Sequence, residues 1–381
     1  MINAVICEFN PFHNGHKYLL ETAAEKTHAD ATVCFMSGNF VQRGSPAVCD
    51  KHTRAQTAVR NGADLVIQIP TAHTLAGASV FAGAGVYMAS ALGVDTSLCF
   101  GSESEDLTPL FRLALADKQK LARAFKDAIS GGKSYGNAVM QAYTACSDVD
   151  ASLLKSPNNL LAFEYIKAVI EQKSDVKVVN ILRRGAGHDA NASDGGFASA
   201  SYLREHEGDD LSPFMPQKMP CAVDRKKFET VLLFSVYGKT ADELSGYADM
   251  GEGLNNRVFA AARQAKSADE LFSLIKSKRY SHSRIRRAAM NVLIQNPMGL
   301  YKTSVPYLNV LAFNDRGRAL LKTLESTCSL PIVTKPSTAE GIDGARAHFE
   351  LECRATDVYD FCSRIRHGGG REYRISPVYV R

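Results

Sequence analysis

Long apolar segments are missing from this sequence. Hydrophobic residues make up 45% of the chain, yet no stretch reaches the roughly 20 uninterrupted apolar residues that a membrane-spanning helix needs. Residues 72–94 come nearest and are interrupted by glycines. The first residues carry no basic segment ahead of an apolar one, so no signal peptide is expected. These absences predict a soluble, cytoplasmic protein without membrane contact.

Paired cysteines are also missing. The chain has nine cysteines, and no two of them form a CxxC pair. Their odd number and long, irregular gaps favour reduced thiols that pack in the interior over a disulfide framework or a zinc site. We therefore predict no metal site.

Neither repeats nor low-complexity segments divide the chain, but its length suggests a division. The chain has 381 residues, more than a typical single domain, and Pro213, Pro216 and Pro220 mark a boundary. We expect a first domain over residues 1–220 and a mainly helical domain over residues 221–381. The net charge of +5 is mild and permits a polyanionic partner without requiring one.

Short β-branched runs alternate with helical patterns in the first half of the chain. Buried strands are predicted at residues 2–7, 31–36, 63–70, 97–101 and 176–182. Strands that alternate with helices form a parallel, doubly wound α/β sheet. Ligands of such sheets lie beyond the carboxyl ends of the strands, so the residues that follow each strand are the first candidates for a site.

Two histidines follow the first predicted strand. His13 and His16 lie at the start of an amphipathic helix, with Gly15 between them. A helix start attracts anions through its free N–H groups and its dipole, and the imidazoles would add hydrogen bonds to the phosphates of a nucleotide. Two other interpretations stay open. One is metal ligation, which lacks a third ligand nearby, and the other is simple capping of an exposed helix.

Further candidates lie in the loop after the second strand and in the helix that follows. Residues 37–46 contain Arg43, whose planar guanidinium group pairs with a phosphate or a carboxylate. Lys51 and Arg54 begin the next helix and are candidate substrate contacts. The alternative in each case is a solvated charge without a function.

A basic segment lies in the second half of the chain. Residues 276–287 contain no acid, and Tyr280 stands among the basic side chains. Unbalanced positive charge beside an aromatic ring is typical of an RNA contact, whereas a solvated helix face is the alternative. The candidate RNA contacts are Lys276, Lys278, Arg279, Arg284, Arg286 and Arg287.

The string NPFHNGH at residues 10–16, between a strand and a helix, resembles the HxGH signature of the nucleotidyltransferase superfamily. Together with SGNFVQRGSP at residues 37–46, it resembles more narrowly the bacterial tRNA(Met) cytidine acetate ligase family. The resemblance is strong over residues 1–60, weaker at 101–103 and 156–204, and weakest after residue 300.

The resemblance implies a Rossmann-like fold of the HUP type that binds ATP while an acceptor attacks the α-phosphate. For this family the acceptor is acetate, the intermediate is acetyl-adenylate, and the acetyl group goes to N4 of the wobble cytidine of elongator tRNA(Met). The implied partners are ATP with Mg²⁺ carried by its triphosphate, acetate and the anticodon loop of the tRNA. No obligate protein partner is expected.

The resemblance also implies site residues. The catalytic set is His13, His16, Arg43 and Lys51. The ATP contacts are Cys7, Glu8, Phe9, Asn10, Pro11, Phe12, His13, Asn14, Gly15, His16, Lys17, Tyr18, Leu19, Leu20 and Gly101, with Asn158 or Asn159 and Arg183 or Arg184. Ser199, Ser201 and Arg204 occupy the place of an element that grips the triphosphate in the superfamily, although serines at a helix start are also ordinary caps.

Two other function classes stay open at this point. A small-molecule nucleotidyltransferase of coenzyme metabolism would use the same histidines but would not need a long extension with a basic segment. A non-catalytic RNA-binding protein could keep a nucleotide pocket as a switch.

Overall fold

The computed structural model describes residues 1–183, 196–365 and 367–381. Within them the strands are β1 (Ile2–Cys7), β2 (Ala31–Ser37), β3 (Phe40–Val41), β4 (Ser45–Pro46), β5 (Leu65–Ile69), β6 (Thr96–Ser102), β7 (Lys177–Leu182), β8 (Leu308–Phe313), β9 (Ile332–Val333) and β10 (Val378–Tyr379). The α-helices are α1 (Asn14–Thr27), α2 (Lys51–Arg60), α3 (Thr71–Thr74), α4 (Ala78–Ala91), α5 (Thr108–Ala114), α6 (Lys118–Ser130), α7 (Tyr135–Cys146), α8 (Pro157–Glu171), α9 (Ala200–Glu205), α10 (Arg225–Tyr237), α11 (Ala241–Ser245), α12 (Leu254–Ala262), α13 (Ala268–Ile275), α14 (His282–Leu293), α15 (Asp315–Thr327) and α16 (Arg346–Phe361).

A parallel sheet forms the centre of the fold. β1 lies between β2 and β6 and is parallel to both, and β5 and β7 continue the sheet in parallel on either side. Every residue of β1, β2 and β5 is buried, as expected for strands with helices on both faces. The predicted doubly wound α/β fold is confirmed.

Alternate side chains of β1 enter two different cores. Ala4 and Ile6 pack in the core that includes α4 and α8, whereas Val5 and Cys7 pack in the core that includes α1 and α2. The carboxyl end of β1 therefore opens between the two helical layers. The strands on its two sides belong to the two halves of the sheet, so this is the switch point at which such folds bind ligands.

The C-terminal part of the chain returns to the same sheet. β8 pairs with β5 in the antiparallel direction, and β9 and β10 pair with β8 in parallel. The prediction of a mainly helical domain after residue 220 fits α10–α14, which pack around their own core. It does not fit the segment that forms β8. The domain boundary at residue 220 stays a prediction, and any division of the chain has to leave β8 with the sheet.

Two separate helices, α5 and α6, follow β6. They are separate because the carboxylate of Asp117 accepts the main-chain N–H of Lys120 and begins a new helix. The helix α7 follows α6. Among the described residues, no helix combines the length and the apolar character that a membrane span requires.

Candidate active site

A cleft of about 250 Å³ opens at the carboxyl end of β1. Its walls come from the start of α1, the turn between β3 and β4, the ends of β6 and β7, and the helices α4, α8 and α9. The lining residues are Ile6, Cys7, Glu8, Phe9, Asn10, His13, Gly15, His16, Tyr18, Leu19, Gln42, Arg43, Phe81, Phe100, Gly101, Asn158, Leu161, Tyr165, Ile181, Arg183, Ser199, Ala200, Ser201 and Arg204.

His13 caps α1. Its backbone is extended, and its Nδ1 accepts the main-chain N–H of Gly15 at 3.0 Å. A Cβ atom on residue 15 would lie 2.9 Å from the ring carbon Cε1 of His13. The capping ring of His13 therefore requires a glycine at position 15, whether or not a ligand also needs that space.

His16 completes a reciprocal cap from the first turn. Its Nδ1 accepts the main-chain N–H of His13 at 3.3 Å. The two imidazoles stack with their centroids 3.7 Å apart, and Phe9 packs edge-on against His16 at 4.9 Å. Because Nδ1 of each neutral ring is an acceptor, the ring proton lies on Nε2. Each histidine therefore has an Nε2–H donor for a ligand in the cleft.

Both imidazoles are neutral at physiological pH. Burial, assisted by the positive charges of Arg183 and Arg204, lowers the pKa of His13 to about 3. Burial, assisted by His13 and Arg183, lowers the pKa of His16 well below its ordinary value. The histidines are therefore neutral hydrogen-bond donors, and the positive charge of the cleft comes from arginines.

The main-chain N–H groups at the start of α1 already have partners. That of Asn14 donates to the carbonyl of Phe214, that of Gly15 to the ring of His13, and those of His16 and Lys17 to the carbonyl of His13. The expectation of free N–H groups at this helix start is wrong, because the His13 cap and the segment at Phe214 occupy them. The imidazole N–H groups and the dipole of α1 remain to attract an anion.

The segment 7–20 faces the cleft in part. Its lining members are Cys7, Glu8, Phe9, Asn10, His13, Gly15, His16, Tyr18 and Leu19. Phe12 and Leu20 are buried in the core behind α1. The Nζ of Lys17 lies 3.8 Å from Oε1 of Glu21. The side-chain amide of Asn14 donates to the carbonyls of Gly196 and Pro213. Pro11 does not line the cleft either. ATP contacts of Pro11, Phe12, Asn14, Lys17 and Leu20 stay predictions that this geometry does not support.

Three arginines of the cleft come from different elements. Arg43 lies in the turn between β3 and β4, Arg183 follows β7, and Arg204 lies in α9. The guanidinium group of Arg204 donates one hydrogen bond to the carbonyl of Asn10 at 2.7 Å and one to the hydroxyl of Ser201 at 3.0 Å. These two bonds hold the side chain in place. Guanidinium groups from three directions give the charge and the planar donors that a triphosphate needs.

The two asparagines at the start of α8 are placed differently. Asn158 lines the cleft, donates to Glu103 and accepts from Nη1 of Arg183 at 3.4 Å. Asn159 is 5% exposed, and its amide oxygen accepts the main-chain N–H of Glu103 at 3.1 Å. Asn158 is therefore the member that faces a ligand, whereas Asn159 fixes the turn after β6.

Gly101 lies beside Arg183 at the ends of β6 and β7. A Cβ atom on residue 101 would lie 3.2 Å from Cγ of Arg183, so the missing side chain lets the arginine stem lie against β6. Both residues line the cleft, as predicted. Arg184, the alternative to Arg183, lies outside the described residues.

Lys51 is not brought to the cleft. It is 2% exposed, and its Nζ lies 2.6 Å from Oε1 of Glu372 and 2.8 Å from Oε1 of Gln68. Arg54 is fully buried, and its guanidinium group donates to the main-chain carbonyls of Glu8, Ser37, Gly38 and Cys49. Because these charges are already bound inside the protein, the catalytic role expected of Lys51 and a substrate contact of Arg54 lack structural support.

Sequence reasoning missed part of the cleft wall. Leu161 and Tyr165 follow Asn158 on α8 at a spacing that places all three on one helix face. That spacing could have indicated from the sequence that Leu161 and Tyr165 face the same side as Asn158. Phe81 reaches the cleft because α4 packs on the sheet beside Ile6, and no local pattern around residue 81 indicates this.

The basic segment divides into exposed and internally bound charges. Arg284 pairs with Glu252 at 2.8 Å, and Arg287, 7% exposed, pairs with Asp249 at 2.7 Å. Tyr280 is buried, so its ring is not available to stack on an RNA base. The exposed cations of the segment, which we call the basic face, are Lys276, Lys278, Arg279 and Arg286.

A close contact joins the basic segment to the cleft. Gly44, next to Arg43, has a φ of +79°, and a Cβ atom there would lie 2.4 Å from the main-chain nitrogen of Arg287 and 2.6 Å from the carbonyl carbon of Arg286. The turn that carries Arg43 therefore lies against the first turns of α14. The basic face and the cleft are neighbours in the fold, although more than two hundred residues separate them in sequence.

Comparisons with known proteins agree with this geometry. Residues 1–370 match the family model described as HIGH Nucleotidyl Transferase. The tRNA(Met) cytidine acetate ligase of Thermoanaerobacter sp. (strain X514) is 33% identical over 402 residues, with 99% of each chain covered. The protein of the same name from Clostridium kluyveri is 32% identical over 417 residues, covering 100% of this chain and 99% of its own.

Two solved structures are similar over the whole chain. The apo form I of Thermotoga maritima TmcAL superposes with a TM-score of 0.92 at 29% identity and covers 100% of this chain and 99% of its own. Form II of the same protein, bound with alpha-thio ATP, gives a TM-score of 0.89 at 29% identity with the same coverage. The full-length matches confirm the resemblance predicted from NPFHNGH: the chain belongs to the tRNA(Met) cytidine acetate ligase family of the HIGH nucleotidyl transferases.

Proposed function

We propose that this protein activates acetate with ATP and transfers the acetyl group to N4 of the wobble cytidine of elongator tRNA(Met). The observation that carries the proposal is the pair of neutral imidazoles with Nε2–H donors at the start of α1, in a cleft with Arg43, Arg183 and Arg204. Alpha-thio ATP bound to the T. maritima protein supports ATP as the ligand. The names of the full-length relatives support acetate and tRNA as the other substrates.

The first step is adenylyl transfer. An acetate oxygen attacks the α-phosphorus, the bond to the bridging oxygen breaks, and pyrophosphate leaves with that electron pair. Negative charge gathers around the α-phosphate in the transition state, where hydrogen bonds from His13 and His16 strengthen. The arginines hold the triphosphate in both the ground state and the transition state, so the two sets of side chains have separable effects on kcat and KM.

The second step uses the tRNA. The exocyclic amine of the cytidine attacks the acetyl carbon, and AMP leaves. An anticodon-loop base is already accessible to such chemistry because it is outside a duplex. Contacts of the basic face with RNA phosphates would place the loop beside the turn at Gly44 and Arg43. In this proposal residues 1–220 carry the ATP chemistry, and the helices after residue 220 bind RNA.

Mg²⁺ enters this proposal bound to the triphosphate. Among the described residues, no group of three or more histidine, cysteine or carboxylate side chains is arranged to hold a metal ion. Phosphate oxygens and water are sufficient ligands for Mg²⁺, and the ion would neutralise charge on the leaving pyrophosphate. The proposal places the enzyme in the cytoplasm, where ATP and tRNA meet.

The proposal is tested in two assays. Exchange of labelled pyrophosphate into ATP, measured with and without acetate, reports the first step. Mass spectrometry of nucleosides from elongator tRNA(Met) transcripts reports the second, with a transcript that carries uridine at the wobble position as the matched control. We expect acetate-dependent exchange and N4-acetylcytidine in the cytidine transcript alone. Adenylyl transfer to a phosphorylated small molecule, without acetylated nucleoside, would contradict the proposal and favour the coenzyme class.

A further inference from the structure

Glu8 is an acid in a site built for anions. It follows β1 directly and is the sole carboxylate among the cleft-lining residues that the structure describes. Its Oε1 accepts the main-chain N–H of Gln42 at 2.6 Å. A negative charge in this position opposes the binding of ATP and acetate, so its presence calls for a function in a later step.

The surroundings of Glu8 keep its carboxylate available as a base. Burial raises the pKa of Glu8 above its ordinary value, and Arg43, Arg54 and Arg204 oppose that rise. Cys7 on its own strand and Tyr165 on α8 also face it, and burial raises the pKa of each, so both are uncharged. Burial therefore makes Glu8 a stronger base than an exposed glutamate, and the guanidinium groups stabilise its ionised form.

Among the lining residues that the structure describes, the other groups are not placed to accept a proton. His13 and His16 use Nδ1 as an acceptor from the main chain and carry the proton on Nε2, so neither ring has an open lone pair. The remaining polar groups of the cleft are amides, hydroxyls and guanidinium groups, which are poor bases at neutral pH.

Glu8 also lies on the side of the cleft that is next to the basic face. Gln42, which donates to Glu8, is two residues before Gly44, and Gly44 lies against Arg286 and Arg287 of α14. Asn158, Gly101 and Arg183 form the other side, at the ends of β6 and β7. A nucleobase of an RNA bound at the basic face would therefore reach Glu8 before it reached the side of the cleft formed by Asn158, Gly101 and Arg183.

We propose that Glu8 accepts the proton that the cytidine N4 amine loses when it attacks acetyl-adenylate. The nitrogen forms a bond to the acetyl carbon, the bond from that carbon to the phosphate oxygen breaks, AMP leaves with the electron pair, and the proton passes from nitrogen to the Glu8 carboxylate and then to water. This inference rests on the proposed function, because it assigns a residue to its second step.

The experiment separates the two steps in the same variant. Glu8→Gln keeps an oxygen that accepts the Gln42 N–H but cannot take up a proton. We expect single-turnover transfer from preformed acetyl-adenylate to tRNA to fall about 10²–10⁴-fold, a far larger loss than any change in acetate-dependent pyrophosphate exchange. Glu164→Gln is the matched control, since it removes a half-buried carboxylate of α8 outside the cleft, and it should leave both steps unchanged.

A pH profile supplies a second readout. Wild-type transfer should decline as the pH falls through the raised pKa of Glu8, and Glu8→Gln should lack that decline. Glu8→Asp, which keeps a carboxylate, should retain the pH dependence at a reduced rate and serves if the glutamine variant does not fold. Transfer by Glu8→Gln at the wild-type rate, or an equal loss of exchange and transfer, would overturn the inference. Failure of the wild-type protein to form acetyl-adenylate or acetylate tRNA would instead overturn the proposed function.

Discussion

His13 and His16 hold each other in place: the rings stack at 3.7 Å, and the Nδ1 of His16 accepts the main-chain N–H of the residue whose own ring caps the helix. This reciprocity fixes both tautomers without a carboxylate partner. The donors are therefore positioned before a ligand arrives, which is the condition under which a hydrogen bond contributes most to a transition state.

Replacing His16 tests that arrangement. In His16→Ala the Nε2–H donor is lost, and we expect acetate-dependent pyrophosphate exchange to fall about 10²–10³-fold, the usual effect of one such donor. The dissociation constant for tRNA, measured by filter binding, should not change, because the basic face lies on α14 and the segment before it. His28→Asn, at the exposed C-terminal end of α1, is the control. Unchanged exchange in His16→Ala would show that the donor does not act in the first step.

The pKa values of the two histidines give a pH prediction. Because burial lowers the pKa of His13 to about 3 and that of His16 also falls, both rings in the free enzyme are already neutral at pH 6. The neutral rings become protonated only when the pH falls towards these lowered pKa values, and not near the ordinary pKa of histidine. We expect kcat/KM for ATP in the exchange assay to show no histidine titration between about pH 6 and 8. A limb near pH 6.5 that disappears in His16→Gln would contradict this.

Gly15→Ala should damage the cleft without unfolding the protein. The new Cβ would lie 2.9 Å from Cε1 and 3.1 Å from Nδ1 of His13, so the capping ring has to move. Loss of a helix cap costs about 1 kcal/mol of stability, while a displaced donor should lower exchange at least tenfold. Gly136→Ala is the control, because nothing lies within 4 Å of its new Cβ. Wild-type exchange in Gly15→Ala would show that the ring position is not critical.

Lys51 should matter for stability. Lys51→Met leaves the buried carboxylate of Glu372 without its cation, and breaking such a buried pair costs about 3–5 kcal/mol. Burial alone would raise the pKa of Glu372, but Lys51 and Thr356 hold it below its ordinary value. This stabilisation is present above the ordinary value and is lost as the pH falls through the lowered one. Urea unfolding at pH 7 measures the loss, with the exposed Lys226→Met as control. A stable variant with impaired exchange would restore the catalytic role first expected of Lys51.

Replacing exposed cations of the basic face should affect RNA binding, whereas replacing the buried Arg287 should affect stability. Lys278→Glu with Arg279→Glu should weaken tRNA binding and reduce its dependence on salt, since each lost phosphate contact removes roughly 0.7–0.9 from the logarithmic slope. Arg287→Ala should instead lower the free energy of unfolding, because it leaves Asp249 unpaired. Acetate-dependent exchange without tRNA should stay normal in the double variant. A tRNA affinity and a salt dependence in the double variant that both equal those of the wild type would exclude the basic face as the contact.

The sequence predicted what depends on local signals. The strand before His13, the glycine between the histidines and the helix after them are read within twenty residues, and the structure has all three. The exposure of Lys51, Tyr280 and Arg287 could not be predicted in this way. Their partners at residues 372, 252 and 249 lie 321, 28 and 38 residues away along the chain. A side chain looks the same in the sequence whether water or a buried partner surrounds it.

The antiparallel strand β8 has a consequence for biosynthesis. Until the ribosome has made residues 308–313, the apolar strand β5 offers one unpaired edge, and such edges invite association with other chains. A nascent or prematurely terminated polypeptide would contain every candidate nucleotide contact named above and would still expose an apolar strand edge to other chains.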